Sequence, residues 1–214
     1  LLKSSAVFTF FAQEQPEQDK PKKKEFVILF TNDFHSQIEP IDKSETYNAD
    51  RGGIKRIKAL VDSVRAAEPA VLLADAGDLV QGTYYFSLLN GVVEMMVLEE
   101  LGYDVRTLGN HEFDKGPAVL GDMVRTAELK TVCSNALSLT EEVPFESVVS
   151  FEFGELKVAF VGVVDTDDGG HPLGQEQVYE EFRFTNDVQT AYDVCASLEE
   201  DVDFVVVLSH MGDN

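Results

Sequence analysis

Phe26-Val27-Ile28-Leu29-Phe30 is an unbroken apolar run, and Thr31-Asn32-Asp33-Phe34-His35 follows it at once. Such a run reads as a strand covered on both faces, because a strand with one wet face alternates. The residues after it hold a carboxylate and an imidazole two positions apart. In an extended segment, side chains at i and i+2 point the same way, so Asp33 and His35 are expected to grip one ion together. The same order recurs twice. Ala70-Val71-Leu72-Leu73-Ala74 leads to Gly77-Asp78, and Phe204-Val205-Val206-Val207-Leu208 leads to Ser209-His210. Open α/β sheets place their chemistry beyond the carboxyl ends of buried strands, which is where these ligands fall.

Working outward, helices are expected between the strands. Ile54, Ile57, Val61 and Val64 recur at helical spacing, with Lys55, Lys58, Asp62 and Arg65 opposite them. Val92, Val93, Met96 and Val97 mark a second helix, with Asn90 as its cap and Gly102 as its stop. A short strand over residues 104–108 leads into Gly109. Residues 148–153 and 156–161 flank Gly154-Glu155, a hairpin signal. Val188, Ala191, Tyr192, Cys195 and Leu198 form one helical face. Strands alternating with helices, plus one antiparallel hairpin, predict an α/β fold with mixed β-sheets flanked by helices.

The 214 residues, 44% of them apolar, can build one domain with a real core. Residues 6–12 are apolar behind Lys3, and residues 13–24 are polar with Pro16, Pro21 and the triplet Lys22-Lys23-Lys24. The first stretch reads as the core of a secretory leader and the second as a linker, which places the chain in the periplasm or outside the cell. A frayed tail is the alternative. The apolar stretch is too short to span a bilayer. Residues 1–24 are therefore set apart from a domain over 25–214. Cys133 and Cys195 fit no metal spacing, and Cys195 reads as a buried free thiol on a helix face.

Net charge is −22, from 17 basic and 39 acidic side chains. That disfavours a nucleic-acid polymer as partner. A small phosphate ester could still enter if bound cations reverse the field locally: two divalent ions bring about +4 against about −2 from Asp33 and Asp78.

The candidate ligands include no cysteine. Asp33, His35, Asp78, Asn110 and His210 suit hard to borderline divalent cations, and a pair of such ions suggests phosphoester hydrolysis. Each residue alone has a plainer reading as a turn former or a satisfied core group. Three of the four histidines, His35, His111 and His210, fall in these segments, which makes chance a weak account. His171 lies in a Gly-rich acidic loop and receives no role.

In order and content, Thr31-Asn32-Asp33-Phe34-His35, Gly77-Asp78, Gly109-Asn110-His111-Glu112-Phe113-Asp114-Lys115-Gly116 and Ser209-His210 resemble the signature of the calcineurin-like metallophosphoesterases, specifically their 5′-nucleotidase branch. The resemblance covers the chain from about Phe26 onward. It implies a four-layer αββα sandwich. It also implies two divalent metals, with Zn, Mn, Co, Fe or Mg all open. Asp33 and His35 would bind the first metal, Asp78 would bridge, and Asn110 and His210 would bind the second. His111 would sit beside the phosphate and aid departure of the leaving alkoxide, oriented by Asp114. The implied activity is hydrolysis of nucleotides or related small phosphate esters by a hydroxide held on the two metals. A cyclic phosphodiester or a nucleotide sugar is the alternative substrate. The family's later Gly-His-x-His motif and nucleoside-gripping domain are absent, so the domain is expected to be incomplete at its C-terminus. A fragment of a longer protein is favoured over a degraded, non-catalytic remnant.

Overall fold

The computed structural model describes residues 7–8, 26–45, 47–140, 143–167, 170, 172, 180–198 and 201–211. The elements in order are β1 (Val7–Phe8), β2 (Val27–Thr31), α1 (Ile54–Ala67), β3 (Val71–Asp75), α2 (Tyr84–Leu89), α3 (Val92–Leu101), β4 (Val105–Arg106), a 3-10 turn (His111–Phe113), α4 (Gly116–Arg125), β5 (Lys130–Thr131), β6 (Ala136–Ser138), β7 (Val148–Phe153), β8 (Leu156–Val164), β9 (Phe182–Phe184), α5 (Asp187–Leu198) and β10 (Phe204–His210). One sheet has the order β1-β2-β3-β4-β5 and the second β10-β8-β7; β6 and β9 make a small antiparallel pair. Strands β2 to β5 are mutually parallel. β10 runs parallel to β8, and β7 antiparallel.

Alternation along each strand separates two cores. Leu29 and Leu73 face the helices with Val61 of α1, Met95 and Leu98 of α3, and Leu120 and Met123 of α4. Their neighbours Ile28 and Leu72 face the other way. They meet Val158 and Phe160 of β8 and Leu208 of β10 between the two sheets. The far side of the second sheet carries α5, which packs on β8 and β10. The layers are thus helices, sheet, sheet and helix, as the mixed α/β reading requires.

Several local expectations change. Asn90 does not cap α3. It adopts a left-handed conformation (φ 55°) and closes α2, a helix the sequence pattern did not reveal; Gly91 precedes α3 instead. The Lys115 ammonium donates to Asn90 Oδ1 and to the Phe86 carbonyl, both at 2.7 Å, and so satisfies that helix end. Helix α3 ends at Gly102 as expected (φ 72°), but it turns Met95, Leu98 and Leu101 inward and leaves Met96 56% exposed. The strand expected over 104–108 pairs only at Val105 and Arg106. In α5, Tyr192 is 70% exposed and Val188 also faces out, while Cys195 is half-buried and free rather than buried. Among the described residues β10 lies at the edge of its sheet, with Phe204 and Val207 exposed and Leu208 buried.

The leader-like run 6–12 lies outside the described residues except for Val7 and Phe8, whose backbone pairs with Leu29 and Ile28. His171 also lies outside them. Among the described residues, no helix is long and apolar enough to cross a membrane.

The two-core arrangement sets an expected ranking. Phe160 is fully buried between the sheets, so Phe160→Ala should destabilise by about 3–5 kcal/mol in urea unfolding. Tyr192→Ala should stay within about 0.5 kcal/mol of the parent. Equal losses would contradict the assignment of faces.

Candidate metal centre

Parallel pairing in register brings the tips of β2, β3 and β4 to one edge, and three loops leave from it. The first two zip together. Asp33 N–H donates to the Gly77 carbonyl (2.9 Å), His35 N–H to Asp78 (3.0 Å) and Ser36 N–H to Leu79 (2.9 Å). The third loop presses on the second. A Cβ at Gly77 would lie 2.6 Å from Gly109 N, and one at Gly109 would lie 2.2 Å from Asp78 Oδ1, so both positions need glycine.

The expectation that Asp33 and His35 share a side because the chain is extended is incorrect in its reason. Asp33 (φ 55°), His35 (φ 47°), Ser36 (φ 57°) and Asp78 (φ 53°) are all left-handed. The segment turns instead of running straight, and the loop-to-loop hydrogen bonds hold it there. The two side chains still converge: His35 Nε2 lies 3.6 Å from Asp33 Oδ1 and 3.8 Å from Asp78 Oδ2.

His210 arrives from the second sheet, at the tip of β10. Its Nδ1 lies 2.9 Å from the Ala76 carbonyl, which can only accept, so Nδ1 carries the hydrogen. Nε2 is left facing Asp78 Oδ2 at 3.3 Å. His111 follows the β4 loop. Its N–H donates to Asp78 Oδ1 (3.0 Å), and its Nδ1 pairs with Asp114 Oδ2 at 2.8 Å. The His111 and His35 rings meet edge to face, 5.5 Å between centroids.

Two overlapping groups of donor atoms result. Asp33, Asp78 and His210 form one; His35, Asp78 and His111 form the other. Within each group the donor atoms lie within 4.8 Å of one another. Asp78 is common to both. Asn110 sits between Gly109 and His111, half-buried, on the loop that touches Asp78. The structure thus gathers Asp33, His35, Asp78, His111, Asp114 and His210 at one edge and puts Asn110 on the adjoining loop. His111 is itself close enough to be counted among the donors, which the sequence did not suggest.

The protonation equilibria reflect this crowding. Burial opposes charge on both His210 and Asp78. Their mutual hydrogen bond and attraction outweigh it, raising His210 to about 9 and lowering Asp78. The Asp114 hydrogen bond raises His111 against the opposing effect of its partial burial. Asp78 is thus held ionised beside a protonated His210, and a divalent cation could take the place of that imidazole proton.

A buried polar row lies beneath the centre. Thr31, Asp75, Arg106 and Thr131 are direct cross-strand neighbours on four successive strands. Thr31 Oγ1 donates to Asp75 Oδ2 (2.7 Å), and Gly77 N–H donates to Asp75 Oδ1 (3.2 Å). Arg106 lies 3.8 Å from Glu112, and neither side chain has any exposure. Thr31 and Glu112 fall inside the quoted motifs, but no motif marks Asp75, Arg106 or Thr131. The one signal for them was a charge, Arg106, inside a segment expected to be a short strand.

A shared carboxylate at strand tips, ringed by imidazoles and a second carboxylate, is a donor set that could hold divalent ions. The chain belongs to the calcineurin-like phosphoesterase family, whose model matches residues 26–214. It is 38% identical to the bovine (Bos taurus) 5′-nucleotidase over 143 residues, 64% of this chain and 24% of that protein. It is 24% identical to the NAD 5′-nucleotidase of Haemophilus influenzae over 212 residues, 96% of this chain and 35% of that protein. Among solved structures, the 5′-nucleotidase precursor of Thermus thermophilus superposes with a TM-score of 0.75 at 30% identity, covering 87% of this chain and 37% of that one. The chain thus spans 24% to 37% of the length of these three relatives.

The polar row carries a pH signature. Burial raises Asp75 from 3.8 to about 7, against the opposing hydrogen bond from Thr31 and the charge of Arg106. Above its unfolded pKa the unfolded chain has lost a proton that the folded chain keeps. Stability should therefore fall as pH climbs from about 4 to about 7 and level off above. Urea midpoints across that window should show the slope in the parent and a flatter profile in Asp75→Asn. Identical slopes would mean that Asp75 ionises freely in the fold.

Proposed function

We propose that this chain is the metal-binding catalytic part of a 5′-nucleotidase-like phosphoesterase, hydrolysing nucleotides or related small phosphate esters. The observation that carries the reading is the convergence of two donor groups on Asp78, with His111 held beside them by Asp114. The names of the relatives support the nucleotide as substrate class. Asp33, His35, Asp78, Asn110 and His210 would hold two divalent cations, drawn from Zn, Mn, Co, Fe and Mg. When bound, such ions supply Lewis acidity to phosphoryl oxygens and a water acidic enough to attack near neutral pH.

The chain's own residues do the rest. Asp114 holds the Nδ1 hydrogen of His111 and fixes its tautomer, so Nε2 faces the centre. In the imidazolium form, which the Asp114 hydrogen bond favours, the Nε2 hydrogen can steady a phosphoryl oxygen and pass to the departing alkoxide. Asp78, tied by the His111 N–H, keeps one oxygen committed and offers the other to the shared position. The leader-like residues 6–12 support a periplasmic or secreted location, with residues 1–24 ahead of a catalytic domain that begins at 25.

His111→Ala should lower turnover of a nucleoside monophosphate by about 10²–10⁴-fold while metal content stays near the parent's. Full activity in that variant would end the assigned role. Stripping the protein with a chelator should abolish turnover, and added manganese or zinc should restore it. Activity that persists in a chain shown to be metal-free would overturn the metal-dependent reading.

A further inference from the structure

Glu112 takes three backbone hydrogen bonds on one carboxylate. Oε2 accepts from Gly109 N–H (2.7 Å) and Asp78 N–H (3.1 Å), and Oε1 accepts from Leu79 N–H (2.9 Å). These donors belong to two different loops. One carries Asp78, the carboxylate common to both donor groups; the other carries Asn110 and His111. A bond returns in the opposite direction, from His111 N–H to Asp78 Oδ1. Glu112 therefore anchors the backbone of Asp78 while the loop of Glu112 anchors its side chain.

The anchor matters because Asp78 stands in a left-handed conformation that an aspartate does not favour without support (φ 53°). The Glu112 carboxylate is itself held from below. Arg106 sits 3.8 Å away with no exposure, and its Nε, Nη1 and Nη2 have no hydrogen-bond partner among the described residues. A buried guanidinium with unmet donors makes a poor stabilising pair. Its position fits a different task, which is to balance the charge of a carboxylate whose oxygens are already committed to main-chain N–H groups.

We propose that Glu112 is a positioning residue of the metal centre: it clamps the Asp78 loop to the Gly109–His111 loop, with Arg106 as its buried counter-ion. The assignment rests on the metal-dependent reading above, and goes beyond it by naming a residue that touches neither metal nor substrate. Removing one acceptor oxygen lets the two loops part and spoils the register of Asp78 against His35, His111 and His210.

The test uses the 214-residue chain with cobalt(II) as the only probe. Glu112→Gln keeps the shape but turns an amide nitrogen toward an N–H. It should weaken cobalt affinity by about 10–100-fold and alter the cobalt absorption spectrum. In the metal-free state it should also speed hydrogen exchange at the amides of Asp78, Leu79 and Gly109. The double variant Glu112→Gln/Arg106→Met removes the buried charge left without a partner. It should recover the urea midpoint while leaving cobalt affinity low. Recovery of affinity together with stability would reduce Glu112 to a structural residue and overturn the proposal. Unchanged amide exchange or parental affinity in Glu112→Gln would do the same. A parent chain that binds no cobalt at all would instead refute the metal-centre reading itself.

Discussion

Strands β2, β3, β4 and β5 pair in parallel, residue against residue, so that Thr31, Asp75, Arg106 and Thr131 end in one row. Everything at the centre starts from that row. Each loop leaves the sheet at the same height, which lets segments distant in sequence meet at the level of single backbone hydrogen bonds. The second sheet must reach the same edge for His210 to take part. β10 pairs with β8 over seven residues, and the core between the sheets fixes how far apart they lie. The 3.3 Å between His210 and Asp78 is thus set by Val158, Phe160 and Leu208 packing on Ile28 and Leu72. Close-packed interiors transmit such spacing faithfully, because shifting one layer opens voids in the other.

The loops above the row are held in conformations that local preference opposes. Asp33, His35 and Asp78 all sit at positive φ. Each costs of order 1–3 kcal/mol and persists only where its surroundings over-determine it. Here the surroundings are the loop-to-loop N–H bonds and the glycine contact between Gly77 and Gly109. An aspartate tolerates this region better than a branched residue would, since its short polar side chain bonds locally. The strain is thus concentrated on the residues that present donor atoms.

This separates what the sequence could show from what it could not. The strand tips were legible because an apolar run followed by Asp or His is a local pattern. Asp33, His35, Asp78 and His210 were legible as candidate donors for the same reason, and the structure brings them together. The i, i+2 argument for Asp33 and His35 reached the correct neighbours through the wrong geometry, because left-handed turns held by another loop leave no local mark. The inner face of α3 was illegible because apolar residues surround most of that helix, so Met95 and Met96 look alike until the sheet chooses between them. Val207 looked buried because a hydrophobic edge strand and a central one share a composition. Asp75, and the bonding of Glu112 within its motif, were hidden differently. Their partners lie on other strands and loops, and only Arg106, a charge inside a buried segment, hinted that something there required balancing.

The proposed substrate class also follows from how charge is distributed. The chain carries −22 overall, and a long polyanion laid across it would meet that field over many Debye lengths. A small phosphate ester samples only the few ångströms around Asp78. Two of the three imidazoles there use Nδ1 for a protein acceptor, His210 with the Ala76 carbonyl and His111 with Asp114, and leave Nε2 for the centre. Ligation through neutral nitrogen would add no negative charge, so a pair of divalent cations bound beside Asp33 and Asp78 would keep a net positive balance. A pocket assembled mainly from carboxylates would have bound the same ions more tightly and left less charge for the phosphoryl group. With cations bound, such a mixed donor set would trade some metal affinity for electrophilicity, and that exchange would let a strongly acidic protein attract an anion at one point on its surface.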